Sequence, residues 1–385
     1  MIMTLLLAFI FWDPNRFAFT MPIIDRPVAW YGICFAIGFV VSFFLVIPII
    51  QRKLEENGQI SERDVAGWPS LIRQLQHILV QTTHPLYPMC KNLKSAIASL
   101  PATQTPNPDL KAKVFDTLTA AIKDPTLTIT RQDLENFFPK GLKTMREICL
   151  LLVDRLTWFI VIGTVAGARL GHVFFYGWPH FQQHPLDILK IWEGGLASHG
   201  GTLGVIIALV LYQRTIRRQF PELTVVSLLD IASIPAAMAA FWIRIGNFIN
   251  QEIIGTPTTL PWAIVFGHPA DGSPSLPRHP TQLYEAIAYL SICVSLFLLW
   301  KRYSANLKEG TIIGLFMILV FGSRFLIEFV KSSLHSQTID ESFLSAGQYL
   351  SIPFILFGCI LLFLSSRSGK HPAVVKSPLR GNGYP

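Results

Sequence analysis

The sequence predicts an all-α integral membrane protein with seven transmembrane helices. Hydrophobic residues make up 51% of the 385 residues, only 15% are charged, and the mean hydropathy is +0.44. The apolar residues collect in stretches close to the ~20 residues that a helix needs to cross a bilayer. This composition argues against the two or three soluble domains that the length alone would allow.

Seven stretches meet the length requirement. In chain order they cover residues 27–50, 150–176, 196–213, 226–245, 281–300, 310–330 and 344–366. Residues 1–12 are also apolar, but they are too few to span a bilayer and lack the basic start of a signal peptide. We expect them to form an interfacial arm that ends at Asp13-Pro14.

Residues 51–148 interrupt the apolar pattern. They are polar and rich in proline, and apolar residues recur at helical spacing over 71–79 and 114–122. We predict a helical insertion on the cytoplasmic side. The remaining regions are the arm and first span over 1–50, six further spans over 149–366, and a basic tail over 367–385.

The basic residues of the short loops predict the orientation. One set of loops carries Arg214, Arg217, Arg218, Lys301, Arg302 and Lys308, and the tail adds Arg367, Lys370, Lys376 and Arg380. The opposite loops carry only Lys190, Arg278 and Lys331. Since cytoplasmic loops are enriched in lysine and arginine, the amino terminus should lie outside and the tail in the cytoplasm.

A polar stretch, Arg244-Ile-Gly-Asn-Phe-Ile-Asn-Gln-Glu-Ile-Ile-Gly255, follows the fourth span directly. Ionisable residues at a membrane boundary usually face a cavity and indicate a site. Arg244 and Asn247 are three residues apart and would share a helix face. Gly255, with two prolines soon after it, marks the end of the helix. The alternative is an amide-capped helix end with a snorkelling arginine.

His199 stands among glycines where the third span begins. A helix amino terminus offers free N–H groups to an anion, and histidine can exchange a proton near neutral pH. Alternatively, Gly200 and Gly204 form a GxxxG packing contact while His199 bonds a neighbour. The spacing alone leaves both interpretations open.

Further polar residues lie in or beside other spans. Gln282 and Glu285 share a face at the start of the fifth span, where a plain helix start is the alternative. Arg324 and Glu328 are four apart, so they could pair within one helix, although such a pair has a high desolvation cost. Two other residues, Arg169 and Asp230, could form a buried ion pair or contact a substrate.

Arginines that converge in a low-dielectric cavity suit a phosphate group, because the guanidinium fork matches its oxygens. A phosphate inside a membrane indicates a phospholipid. No basic stripe is interleaved with aromatic residues, so nucleic acid is not an expected partner. A transporter and a membrane-anchored scaffold remain alternatives, although the halves show no inverted repeat.

These strings resemble the motifs of the prolipoprotein diacylglyceryl transferases. The family signature reads roughly G-R-x-G-N-F-hydrophobic-N-x-E-x-x-G, and this chain departs from it only at Ile243. The family also carries H-G-G, H-P-[ST]-Q-L-Y-E and R-x-x-x-E, which match 199–201, 279–285 and 324–328 in the same order. It often has a tyrosine four residues before the last arginine, where this chain has Val320.

The resemblance implies transfer of the diacylglyceryl group of phosphatidylglycerol to the lipobox cysteine of a prolipoprotein signal peptide, with release of glycerol phosphate. Arg244 and Arg324 would clamp the phosphate, and His199 would be the general base or orient the lipid. The implied lipid-binding residues are Tyr31, Asn247, Asn250, Glu252, Gly255, Gln282, Glu285 and Glu328. We expect a monomer in the bacterial cytoplasmic membrane, with its site toward the outer side and no metal or cofactor.

Overall fold

The computed structural model describes residues 9–22, 25–55, 58–98, 100–101, 105–191, 194–332 and 344–367. The chain divides into two compact units. One comprises Ile47–Val225, and the other comprises Met1–Val46 with Val226–Pro385. Residues 1–8 of the predicted arm and the basic tail beyond Arg367 lie outside the described residues.

The described residues are mostly helical. The helices are α1 (Trp30–Glu55), α2 (Trp68–Val80), α3 (Tyr87–Cys90), α4 (Lys94–Ala98), α5 (Pro108–Lys123), α6 (Arg131–Phe137), α7 (Met145–Phe175), α8 (Trp178–Gln183), α9 (Ser198–Ile216), α10 (Val225–Ile249), α11 (Thr281–Tyr303), α12 (Thr311–Ile327) and α13 (Ala346–Arg367). The strands are β1 (Ile10–Trp12), β2 (Phe17–Met21), β3 (Arg26–Ala29), β4 (Ile264–Phe266) and β5 (Pro277–Arg278).

Six of these helices, α1, α7, α10, α11, α12 and α13, are long and apolar enough to cross a membrane. Only 17% to 39% of the residues in each apolar window are buried, so these helices retain apolar surface that lipid can cover. The third predicted span forms α9, which is not among the six. Its first turn is polar and glycine-rich and its last turn carries Gln213 and Arg214, which shortens the apolar part.

In the unit Ile47–Val225, the insertion forms helices α2 to α6 around a hydrophobic core. Leu71, Leu75, Val114, Leu118 and Phe138 are completely buried in it. The spacing of four residues places Leu71 with Leu75, and Val114 with Leu118, on one face of their helix. The core explains why this polar, proline-rich segment folds: each short helix contributes one apolar face.

A buried carboxylate fixes the loop before α2 to helix α6. Asp64 is fully buried, and its Oδ1 lies 2.5 Å from Nη2 of Arg131. Arg131 also pairs with Glu135, four residues later, at 2.8 Å. Because the carboxylate of Asp64 is paired, its burial does not leave an uncompensated charge.

Helices α7 and α9 pack through glycines. Gly163, Gly167 and Gly171 of α7 face Gly200 and Gly204 of α9 so closely that an added Cβ would overlap the opposite backbone. Small residues of this kind let two helices approach in a membrane, where the hydrophobic effect does not hold them together. The packing interpretation of Gly200 and Gly204 therefore describes what the structure shows.

The other unit contains α10 to α13 and the strands. Asp230 of α10 caps α12, because its carboxylate accepts hydrogen bonds from the backbone N–H groups of Gly310 (2.7 Å) and Ile313 (2.8 Å). A carboxylate at a helix amino terminus satisfies free N–H groups and complements the helix dipole. The structure thus gives Asp230 a structural role.

The described part of the amino-terminal arm is a β-strand. β1 pairs in parallel with β4, and β4 pairs antiparallel with β5. The Trp12 ring stacks on Phe248 with centroids 4.5 Å apart, and its Nε1 donates to the Phe248 carbonyl at 3.0 Å. This strand is not predictable from local sequence, because its partner lies about 250 residues away.

The glycine contact predicts the effect of Gly204→Ala. The new Cβ would overlap the Gly163 carbonyl, so the variant should lose about 1–3 kcal/mol of stability, or fail to assemble. Gly201→Ala is the matched control, since its Cβ would meet nothing nearer than the Ala168 Cβ at 3.6 Å. Thermal unfolding in detergent measures both variants, and equal midpoints would contradict the packing model.

The insertion core predicts the reactivity of Cys90. This thiol is completely buried, and burial raises its pKa to about 11, so it is neutral at pH 7. N-ethylmaleimide should therefore modify Cys90 only after the insertion opens. A cysteine placed at the exposed Lys113 in the same insertion is the control and should react at once. Equal labelling rates in the folded protein would show that the core is open.

Candidate active site

The signature stretch leaves α10 as a strained turn. Gln251 (φ 55°) and Ile253 (φ 56°) adopt the left-handed conformation, which costs of the order of 1–3 kcal/mol for a residue other than glycine. Gln251 is buried and held at both ends of its amide: Nε2 donates to Asp13, and Oε1 accepts from the His268 N–H at 2.7 Å. The surrounding contacts therefore fix a conformation that the chain alone would not adopt.

Gly255 lies between two backbone segments. Its N–H donates to the His279 carbonyl at 3.0 Å, and Thr256 N–H donates to the Val330 carbonyl at 2.9 Å. A Cβ at position 255 would lie 2.6 Å from both the Cβ and the carbonyl oxygen of His279. Gly255 therefore joins the signature to the segments before α11 and after α12, while its role in lipid binding stays a prediction.

A row of alternating charges connects α10, α11 and the end of α12. Arg244 Nε lies 2.8 Å from Glu285 Oε2, and Lys331 Nζ lies 2.9 Å from Glu285 Oε1. Lys331 Nζ also lies 3.0 Å from Glu328 Oε2. The side chain of Glu285 is completely buried, and the other three are at most 13% exposed. The Arg244 contact is an ion pair without a directed hydrogen bond, since Glu285 Oε2 accepts none.

The amides of the signature and the Gln282 motif surround Glu252. Asn247 Nδ2 and Asn250 Nδ2 donate to its two carboxylate oxygens at 2.8 and 3.1 Å, and Gln282 Nε2 donates to its carbonyl at 2.6 Å. Arg244 Nη1 donates to Asn247 Oδ1 at 3.1 Å, which joins this group to the charge row. The structure thus brings together the five residues that the sequence placed in two separate motifs.

Two acceptors in this cluster have no protein partner. Asn250 Oδ1 and Gln282 Oε1 are buried, and no donor reaches them among the residues that the structure describes. A buried unsatisfied acceptor costs free energy, so such atoms in a folded protein need an explanation. Both oxygens can accept from a hydroxyl group, which makes them suited to a ligand that carries hydroxyls.

Arg244 and Arg324 are linked electrostatically through Tyr289. The Tyr289 hydroxyl interacts electrostatically with both guanidinium groups. Within the described ranges, Arg324 has no carboxylate partner. Glu328, its possible partner four residues on, pairs with Lys331 instead. The structure thus does not show the Arg324–Glu328 pair that the spacing allowed, because Lys331 lies one turn after Glu328.

Tyr31 lies at the start of α1. Its ring packs on Gly246, where an added Cβ would lie 2.9 Å from Tyr31 Cδ2. The hydroxyl interacts electrostatically with both Arg244 and Glu252. Tyr31 therefore belongs to the cluster around the signature, and Gly246 is needed there because the aromatic ring occupies the space of a side chain.

Arg169 belongs to the unit Ile47–Val225 and is fully engaged. Its guanidinium donates five hydrogen bonds, all to backbone carbonyls between Asp187 and Gly195, at 2.5 to 3.2 Å. A guanidinium has five N–H donors, so none remains for a substrate. His199, at the start of α9 in the same unit, has an exposed side chain without a partner among the described residues.

Three residues of the cluster were not predicted from the sequence: Lys331, Tyr289 and Gln251. Lys331 stands three residues after Glu328, and Tyr289 stands four residues after Glu285. These are helical spacings that place side chains on one face, and they could have indicated both residues. Gln251 gave no such signal, because its role depends on a backbone turn.

The buried charge row predicts the effect of Glu285→Gln. The amide would leave Arg244 and Lys331 buried without the anion between them, so stability should fall by about 3–5 kcal/mol. Asp116→Asn makes the same chemical change at an exposed position of the insertion and should be neutral. Thermal unfolding in detergent is the measurement. An unchanged midpoint for Glu285→Gln would mean that the two cations do not need this carboxylate.

Known proteins are similar to this chain. The family model described as prolipoprotein diacylglyceryl transferase matches residues 138–364. The chain is 46% identical to the phosphatidylglycerol–prolipoprotein diacylglyceryl transferase of Protochlamydia amoebophila over 366 residues, which are 93% of this chain and 95% of that protein. Proteins of the same name from Tolumonas auensis and Chlamydia pneumoniae are 45% and 43% identical and cover 56% and 54% of this chain, and 80% and 72% of their own lengths.

The relatives differ in how much of this chain they match. About 7% of this chain falls outside the alignment with the Protochlamydia protein, far less than residues 51–148 occupy, so most of the insertion has a counterpart there. The family match and this identity over almost the whole of both chains lead to one conclusion. The chain belongs to the prolipoprotein diacylglyceryl transferase family.

Proposed function

We propose that this membrane transferase moves the diacylglyceryl group of phosphatidylglycerol to the lipobox cysteine of a prolipoprotein. The relatives carry the name of this activity, and the protein has the apolar helices of a multi-pass membrane protein. One structural observation supports the proposal most. Arg244 and Arg324 both interact electrostatically with Tyr289, in a cluster whose Asn250 and Gln282 have buried acceptor oxygens without a partner among the described residues.

The donor lipid fits these two features. Its phosphodiester would bind Arg324, which has no carboxylate partner in the described residues, and the outer nitrogens of Arg244. The hydroxyls of the headgroup glycerol would donate to Asn250 Oδ1 and Gln282 Oε1. Glu285, Glu328 and Lys331 would hold the arginines in place and would not touch the lipid, because their charges already pair with one another.

The reaction exchanges one bond for another. The cysteine sulfur forms a bond to the terminal glycerol carbon of the diacylglyceryl group, and the bond from that carbon to the phosphate oxygen breaks. The leaving glycerol phosphate gains negative charge, which Arg244 and Arg324 would stabilise more strongly than they stabilise the bound lipid. The thiol must lose its proton, and His199 is the proposed acceptor or the group that orients the lipid.

The proposed arrangement in the membrane has seven spans, namely the six long apolar helices and α9, which is the third span in chain order. Its 19 residues are roughly 28 Å long at 1.5 Å per residue, close to the thickness of the hydrocarbon core. The distribution of lysine and arginine in the loops then places the amino terminus and the active site on the outer side of the bacterial cytoplasmic membrane. We propose that the protein acts there as a monomer.

The test is an assay with radiolabelled phosphatidylglycerol and a lipobox peptide. Arg244→Ala and Arg324→Ala should each lower the transfer rate by a factor of about 10²–10³. This is the usual effect of removing a group that stabilises developing charge. Arg217→Ala, at an exposed position just after α9, is the control and should retain full activity.

The abundance of each variant in the membrane should match that of the parent protein, which separates loss of chemistry from loss of protein. Transfer at the parental rate by either of the two cluster variants would refute the assignment of the phosphate clamp.

A further inference from the structure

A cavity of about 340 Å³ lies in the unit Ile47–Val225, and none of the residues of the proposed reaction lines it. Arg63 and Lys143, from the two ends of the insertion, line this cavity. Leu151 and Arg155 line it from the first turns of α7, and Phe220 lines it from the segment that follows α9. This volume falls within the range of small-molecule sites, roughly 300–1,000 Å³. The insertion is therefore one wall of a ligand-sized space.

Two of the three cations at the cavity are available to a ligand. Lys143 Nζ donates only to the Val65 carbonyl, at 3.3 Å, and Arg155 is exposed. Neither forms an ion pair in the part of the chain that the structure describes. Arg63 differs, because it pairs with Glu222 and lies over the Phe220 ring. Lys143 and Arg155 can thus bind an anion, while Arg63 supports the wall.

The cavity opens onto an apolar stripe of α7. Leu151, Trp158 and Ile162 are 61% to 62% exposed, and together with Arg155 they follow helical spacing along one face. The stripe continues for about 10 Å from Arg155 to Ile162, at 1.5 Å per residue. Trp158 stands where α7 changes from charged to apolar residues, a usual position for tryptophan at a membrane boundary.

We infer that this cavity binds the headgroup of a phospholipid at a site separate from the proposed reaction centre. The phosphodiester contacts Lys143 and Arg155, and an acyl chain follows Leu151, Trp158 and Ile162. Phosphatidylglycerol and phosphatidylethanolamine both supply this chemistry.

Two carboxylates also line the cavity. Glu62 is paired with Lys111 at 3.0 Å, whereas Asp154 can accept from a headgroup hydroxyl or ammonium group. This site would give the insertion a role. Most of the insertion falls within the alignment with the Protochlamydia relative. It supplies Lys143 to the site, so its role is to complete the binding of a lipid.

The full-length protein in phosphatidylcholine nanodiscs provides the test. A phospholipid with a photoreactive group beside its headgroup should label peptides from residues 143–155 and 216–220, as read by mass spectrometry. Unlabelled phosphatidylglycerol and phosphatidylethanolamine then compete in separate arms, and the stronger competitor identifies the natural source. If the unmodified protein is labelled evenly over its apolar helices, without enrichment in these peptides, the proposal is overturned.

In the double variant Lys143→Gln/Arg155→Gln, the labelling yield should fall roughly fivefold for each charge removed. Lys91→Gln/Lys113→Gln removes the same charge from exposed positions of the insertion and should change nothing. Unchanged labelling in the first variant, or an equal loss in both, would refute a specific site. Transfer activity of both variants should stay at the parental level, so this result does not depend on the proposed reaction.

Discussion

The carboxylate of Glu285 is the constraint on which the candidate active site depends. It lies between Arg244 at the end of α10 and Lys331 just after α12, while Glu285 itself belongs to α11. Two cations in a medium of low dielectric constant repel one another strongly unless an anion separates them. One buried anion therefore joins three chain segments and fixes the position of Arg244, whose Nη1 donates to Asn247 Oδ1.

The backbone around this anion is held from outside the site. Gln251 and Ile253 are strained, and the buried amide of Gln251 reaches Asp13 of the amino-terminal arm. The arm is itself tied down, since β1 pairs with β4 and Trp12 stacks on Phe248. Rigid support of this kind suits a site that must present several polar groups to one lipid headgroup, because each misplaced group weakens transition-state stabilisation.

The arginines of this chain show that environment decides what a residue type does. Arg169 gives all five of its N–H donors to backbone carbonyls and orders a loop. Arg324 has no carboxylate partner among the described residues and interacts electrostatically with Tyr289, so its donors can serve a phosphate. At the insertion, Arg63 is committed to Glu222, whereas Arg155 is exposed at the mouth of a cavity. Family motifs alone do not separate these cases.

The sequence by itself determined the apolar helices, the polar strings and the family, because hydropathy and helical spacing are local properties of the chain. It also placed Asn247, Asn250 and Glu252 in one site. Only the tertiary structure decided that Glu328 pairs with Lys331 and that β1 pairs with β4. Spacing allows several helical neighbours for one charge, and packing selects among them. Strands and side chains that are far apart in sequence meet only when the whole chain is folded.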